Sequence, residues 1–131
     1  MNTGKELRLA RLFRKETGKF VLVTMDHGIC VNPMKELNDM PALVSKVLAG
    51  KPDAVLVTPG MVRRVSRVIA GSGSSLMVRI DGTATSIGPD LTNDELICTV
   101  EGALKMGADA VATFGVIGVE REGQLSKKIG Q

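Results

Sequence analysis

The 131-residue sequence contains no tyrosine and no tryptophan, and its only aromatic residues are Phe13, Phe20 and Phe114. Proteins that bind single strands stack bases on aromatic side chains, so this scarcity argues against a nucleic-acid partner. The net charge of +3 does not restore one, because 14 acidic residues are spread evenly among 17 basic ones. Cysteine is scarce too. Cys30 and Cys98 are too few for a disulfide framework, which points to a reducing, cytoplasmic compartment. Long apolar runs are missing: stretches such as residues 20–23 and 55–57 are strand-sized, so no membrane span is expected. Residues 1–14 carry charges throughout, where a signal peptide would carry an apolar block.

What is present is ordinary for a globular chain, with 44% apolar and 24% charged residues. A chain of this length buries roughly two-thirds of its unfolded surface. Short β-branched runs alternate with segments of helical period, as parallel βα units do. Residues 20–26, 53–58, 76–81 and 109–114 read as four strands. Their nearly continuous apolarity suits strands covered on both faces.

Helical spacing predicts three amphipathic helices between them. The first carries Met40, Leu43, Val44, Val47 and Leu48, with Asn38 or Asp39 as N-cap and Pro41 in its first turn. The second carries Met61, Val62, Val65, Val68 and Ile69 and ends at Gly71-Ser72-Gly73. The third opens on a capping box of Thr92 and Glu95, buries Leu96, Ile97, Val100, Ala103 and Leu104, and ends at Gly107. A leading helix over residues 6–15 stops at Gly18, and a last one begins near Glu120. Lys51-Pro52-Asp53-Ala54-Val55 is echoed by Gly107-Ala108-Asp109-Ala110-Val111, a faint repeat that speaks for stacked βα units and against two domains.

Right-handed crossovers leave two architectures, a small doubly wound sheet or a piece of a (β/α)8 barrel. A complete barrel needs about 250 residues, and four βα units are half of one. In both, reactive groups gather at the C-terminal ends of the strands. Those ends are Asp26-His27-Gly28, Thr58-Pro59-Gly60, Asp81-Gly82-Thr83 and Thr113-Phe114-Gly115. Asp26 is a carboxylate closing a buried strand, placed either for proton transfer or to accept loop amides. His27, the one histidine, either orients a substrate oxygen or fills a structural role. Asp81 and Thr83 either contact a polar substrate or form a turn. His27 and Cys30 lack the further protein ligand that a catalytic zinc requires, so no metal is expected. Arg63, Arg64 and Arg67 read as a phosphate contact or as a solvated helix face. Gly71-Ser72-Gly73 leads into a strand, unlike a dinucleotide fingerprint.

Several segments together resemble one family in order and spacing. They are Arg11-Leu12-Phe13, Thr17-Gly18-Lys19, Val23-Thr24-Met25-Asp26-His27-Gly28, Asp53-Ala54-Val55-Leu56 and Met106-Gly107-Ala108-Asp109-Ala110-Val111. The resemblance is to class I aldolases of the archaeal fructose-bisphosphate type, within a DeoC/LacD-like superfamily that includes aminodideoxyheptulosonate synthase and thiolase-type relatives. It covers the whole chain but only the family's N-terminal half. It implies one partial (β/α)8 barrel domain over residues 1–131, with strands one to four and a leading helix. It also implies carbon–carbon bond cleavage or formation on a sugar phosphate or related ketose, through a lysine imine and without a cofactor.

By the same resemblance Asp26 is catalytic, assisting proton transfer, and Gly82-Thr83-Ala84 lies beside the sugar-phosphate site. The substrate-binding candidates are His27, Gly28, Asp81, Gly82 and Thr83. The family's imine-forming lysine, its acid/base tyrosine and its phosphate loops come from later strands. The residues here agree: the nine lysines fall in helices, loops or the approaches to strands, and there is no tyrosine. A half-barrel exposes two strand edges, so a homo-oligomer or a complementary C-terminal half is expected as partner. The alternative is a non-catalytic half-barrel that self-associates or binds a small anion.

Overall fold

The computed structural model describes residues 3–13, 16–31 and 34–131. Four parallel strands, β1 (Leu22–Thr24), β2 (Ala54–Val57), β3 (Ser75–Arg79) and β6 (Ala110–Ala112), form one sheet in the order β1-β2-β3-β6. Two further strands of two residues each, β4 (Asp81–Gly82) and β5 (Glu95–Leu96), pair antiparallel beyond the C-terminal end of β3. The helices are α1 (Thr3–Leu12), α2 (Met40–Ala49), α3 (Pro59–Ile69), α4 (Val100–Lys105) and α5 (Glu122–Ile129). Each main strand pairs only with its neighbour in chain order, as in half of a (β/α)8 barrel.

Side chains alternate across the sheet. Val55, Val57, Leu76, Val78 and Ile80 pack with Met40 and Val44 of α2 and Val62, Val65 and Ile69 of α3 into the main core. Thr24, Leu56, Arg79 and Ala112 share a cavity on the other face. β2 is buried throughout, as its apolar run requires, whereas β1 and β6, at the open edges, are not. Val21 beside β1 is 53% exposed and Phe114 beside β6 is 51% exposed.

The two echoed turns are one device used twice. Asp53 Oδ2 accepts the Val21 amide at 2.7 Å, and Asp109 Oδ2 accepts the Leu76 amide at 3.2 Å. Each carboxylate thus takes a main-chain donor at the start of the neighbouring strand. The residue opening the turn has positive φ in both cases, 53° at Lys51 and 93° at Gly107.

Helix boundaries depart from the sequence reading in places. Asp39 caps α2 as expected, its Oδ1 accepting the Ala42 amide at 3.1 Å. Among the described residues the leading helix runs over Thr3–Leu12, and Lys15, its expected end, lies outside them. α3 begins two residues early, at Pro59, because Thr58 enters extended and proline suits a first turn.

The third helix is a correction. Thr92 and Glu95 form no capping box. Thr99 is the N-cap, its Oγ1 accepting the Gly102 amide at 3.0 Å, and α4 has six residues. Glu95 and Leu96 are strand residues held by β4, and Leu96, Ile97, Val100 and Leu104 are exposed; Ala103 alone of the expected stripe is buried.

Candidate active site

The C-terminal ends of β1, β2, β3 and β6 surround a cavity of about 260 Å³, lined by Thr24, Asp26, His27, Cys30, Leu56, Arg79, Ala112, Thr113 and Phe114. Asp26 stands one residue past Met25, whose amide still bonds Leu56 of the next strand at 2.8 Å, so the carboxylate sits at the rim of the sheet. A single 3₁₀ turn, His27–Ile29, then folds the chain back, with the Cys30 and Val31 amides both donating to the His27 carbonyl. That turn leaves His27 exposed at the cavity and Asp26 buried.

Arg79, in β3, organises the site. Its side chain is 3% exposed. Nη1 donates to Asp26 Oδ2 at 3.0 Å and to Cys30 Sγ at 3.1 Å, and Nη2 donates to Asp94 Oδ2 at 2.9 Å. Nε reaches both the carbonyl and Oδ1 of Asp81 at 3.1 Å. The Phe114 ring covers one face, its centroid 4.0 Å from Cζ. Burial opposes the charge of Arg79, but the hydrogen bonds to Asp26 and Asp81 outweigh it and raise its pKa above the ordinary value.

Asp81 is fully buried behind the cavity. Its Oδ2 accepts three donors at 2.7 Å: Thr113 Oγ1, the Phe114 amide and Lys128 Nζ. Burial again works against the charge, yet Lys128, Thr113, the Phe114 amide and Arg79 together hold this carboxyl below its ordinary value. Lys128 also donates to the Asp94 carbonyl at 3.1 Å, tying α5 to the 82–95 loop. Three carboxylates and two cations thus form one buried network, in which the described residues leave no side-chain N or O unsatisfied.

The sequence-predicted residues divide between the cavity and its support. Asp26 and His27 line the cavity together. Gly28 turns away, bordering a separate hollow with Met25, Leu37 and Met40. Asp81 stands behind the wall with both oxygens engaged. Gly82 is packed under Ile29, whose Cδ1 lies 2.5 Å from where a Cβ would be, so a larger residue there would require the Ile29 side chain to shift. The Thr83 hydroxyl donates to the Asn93 carbonyl at 2.6 Å and accepts the Glu95 amide at 3.3 Å, closing the loop. Arg63, Arg64 and Arg67 are exposed on α3. Arg79, Asp94 and Lys128 were not singled out by sequence. For Arg79 a signal exists: an arginine inside an otherwise apolar buried strand must have carboxylate partners. Among the described residues no three His, Cys, Asp or Glu side chains are grouped to hold a metal ion, and no helix is long and apolar enough to cross a membrane.

Comparison with known proteins fits this arrangement. The family model described as DeoC/LacD family aldolase matches residues 20–131. The chain belongs to the DeoC/LacD aldolase family. It is similar to an uncharacterized aldolase of Saccharolobus solfataricus, 34% identical over 120 residues, covering 88% of this chain and 43% of that protein. Similarity to 2-amino-3,7-dideoxy-D-threo-hept-6-ulosonate synthase 1 of Archaeoglobus fulgidus is 33% over 127 residues, 97% of this chain and 46% of the relative. The 3-hydroxy-5-phosphonooxypentane-2,4-dione thiolase of Yersinia pseudotuberculosis is 32% identical over all 131 residues, 44% of its own length.

The fold resembles that of an archaeal fructose-1,6-bisphosphate aldolase, solved with its catalytic lysine bound to the carbinolamine intermediate. The TM-score is 0.71 at 23% identity, over 96% of this chain and 49% of that one. The chain therefore spans less than half the length of these curated DeoC/LacD relatives.

Proposed function

We propose that these 131 residues form one partial barrel domain that supplies the N-terminal half of a lysine-imine aldolase site. The substrate class is a sugar phosphate or related ketose, and the compartment is the reducing cytoplasm. The observation that carries this reading is Asp26: a carboxylate at a strand's C-terminal end, fixed by Arg79 at 3.0 Å and opening on a cavity shared with His27. Asp26 moves the proton of the reacting hydroxyl as the carbon–carbon bond breaks, its electrons passing to the imine. His27 orients a substrate oxygen. Gly28, Asp81, Gly82 and Thr83 shape the site from behind the lining.

The amine comes from elsewhere. Among the described residues no lysine lines the cavity. Lys128, the buried lysine among the described residues, is committed to Asp81 and Asp94. The imine-forming lysine and the acid tyrosine therefore belong to a complementary half, docked along the edges of β1 and β6.

Borohydride trapping with a ketose phosphate, read by mass spectrometry, tests this. The chain alone gives no adduct, whereas mixing with a polypeptide encoding the later strands of a relative gives one on that polypeptide. Replacing Asp26 by Asn then slows turnover by about 10²–10⁴-fold. An adduct on any of the nine lysines of this chain alone overturns the reading. A second reading, a self-associating non-catalytic half-barrel, is favoured by the open edges together with the engagement of Arg79, which leaves the cavity no uncommitted cation for a phosphate.

A further inference from the structure

The end of β6 brings Thr113 into the wall of the cavity that Asp26 and His27 share. A hydroxyl has one hydrogen to give and two lone pairs with which to accept. The Thr113 hydrogen is committed, because Oγ1 lies 2.7 Å from Asp81 Oδ2. Asp81 cannot be the donor of that pair. Burial works against its charge, yet Lys128, Thr113, the Phe114 amide and Arg79 hold its carboxyl below the ordinary value. At neutral pH it is therefore ionised and accepts only. Thr113 is left with lone pairs, and no hydrogen, to offer a molecule in the cavity.

The rest of the wall has the same polarity. Asp26 Oδ2 takes Arg79 at 3.0 Å. Oδ1 has no donor among the described residues, and since none of their buried side-chain oxygens is orphaned, it opens to the cavity. Among the described residues of the wall Arg79 is the one arginine or lysine, and each of its three nitrogens already donates. Nε serves Asp81, Nη1 serves Asp26 and Cys30, and Nη2 serves Asp94. The Phe114 amide, a donor that could have met an anion, is turned to Asp81 at 2.7 Å. The two acceptors are also fixed relative to each other. A bonded arc runs from Asp26 to Arg79 at 3.0 Å, from Arg79 to Asp81 at 3.1 Å and from Asp81 to Thr113 at 2.7 Å.

We propose that Thr113 is a specificity-determining residue: with Asp26 it accepts hydrogen bonds from the hydroxyls of an uncharged polyol segment of the substrate, and this wall turns a phosphate group away. A phosphate brings acceptor oxygens and negative charge to a surface that already has both. A hydroxyl brings the hydrogen that both oxygens lack. The cavity, about 260 Å³, is below the usual range for drug-sized ligands and suits a short carbon chain. The assignment rests on the aldolase reading in one respect only, that the bound polyol is substrate.

The test is a two-dimensional amide NMR titration of the full chain with erythritol and, at the same ionic strength, with erythritol 4-phosphate. Erythritol is expected to give saturable shifts at His27, Thr113 and Phe114, and the phosphate ester to bind about tenfold more weakly. Thr113→Val weakens erythritol binding about fivefold, as loss of one hydrogen bond does, and Thr113→Ser restores it. Asp81 keeps Lys128, Arg79 and the Phe114 amide in the valine variant, and its amide spectrum checks the fold. Should that variant unfold, the serine variant and the contrast between polyol and ester still decide. An ester that binds as well as the free polyol, erythritol shifts that do not saturate or fall elsewhere, unchanged binding in a folded Thr113→Val, or loss of binding in Thr113→Ser overturns the proposal. Failed imine trapping leaves the polyol preference standing, and a lost preference leaves trapping untouched, so the two failures are told apart.

Discussion

A guanidinium holds its N–H donors in one plane, and Arg79 directs them to three carboxylates and a thiol while Phe114 covers its face. Removing it strands Asp26, Asp81 and Asp94 with Lys128 as their one cation. Arg79→Met is expected to cost about 3–5 kcal/mol in urea unfolding, as breaking a buried ion pair does. Arg79→Lys recovers little of that, since a point charge cannot serve acceptors on separate sides.

Asp81 sets the acid limb. Its folded pKa lies below the ordinary 3.8, so as pH falls below that value the unfolded chain binds a proton that the folded one still refuses. The stability that Asp81 contributes is full above about pH 4 and is lost below it, so Asp81→Asn should flatten the slope in acid titrations followed by circular dichroism. The raised pKa of Arg79 contributes below the ordinary arginine value, hence throughout this range, and adds no slope. Asp26 was legible because it ends an apolar run. Lys128 was not, because nothing in Lys127-Lys128 says which of two adjacent lysines turns inward.

At the level of elements, strands and the outer helices were readable wherever period and burial agree. β2, α2 and α3 show this: the core-facing positions of both helices are those that the apolar spacing picks out. α4 was misread because the segment between residues 92 and 101 contains two hydroxyl caps, and local spacing cannot rank them. Tertiary contacts do. Asp94 is drawn to Arg79 and Ala84, and Glu95 pairs with Gly82, so the chain is extended until Thr99. Thr99→Ala should therefore lower stability by about 1 kcal/mol, and Thr92→Ala should leave the thermal midpoint unchanged. Equal losses at both positions would contradict the cap assignment.

For the whole molecule, the decisive property is four parallel strands ending in two open edges. Apolar side chains adjoin the edge strands, among them Val21 beside β1 and Phe114 beside β6, both about half exposed. Such edges pair or aggregate. A two-fold axis along the barrel would set β6 of one copy beside β1 of the next without reversing any strand. Light scattering at micromolar concentration should give a dimer in the absence of a complementary half, and a stable monomer would rule out edge pairing. The half-barrel itself was legible from counting βα units against the length of a full barrel. Its partner was not, because the sequence of one edge does not name what meets it.

The strand order has a further consequence in time. Because every main strand pairs with the one just before or just after it in the chain, no contact in the sheet waits for a distant segment to be made. Such a topology can assemble stepwise as the chain leaves the ribosome, each βα unit settling on the last. The finished sheet then presents β6 as the growing end, a template on which the next parallel strand, from whatever chain carries it, can register.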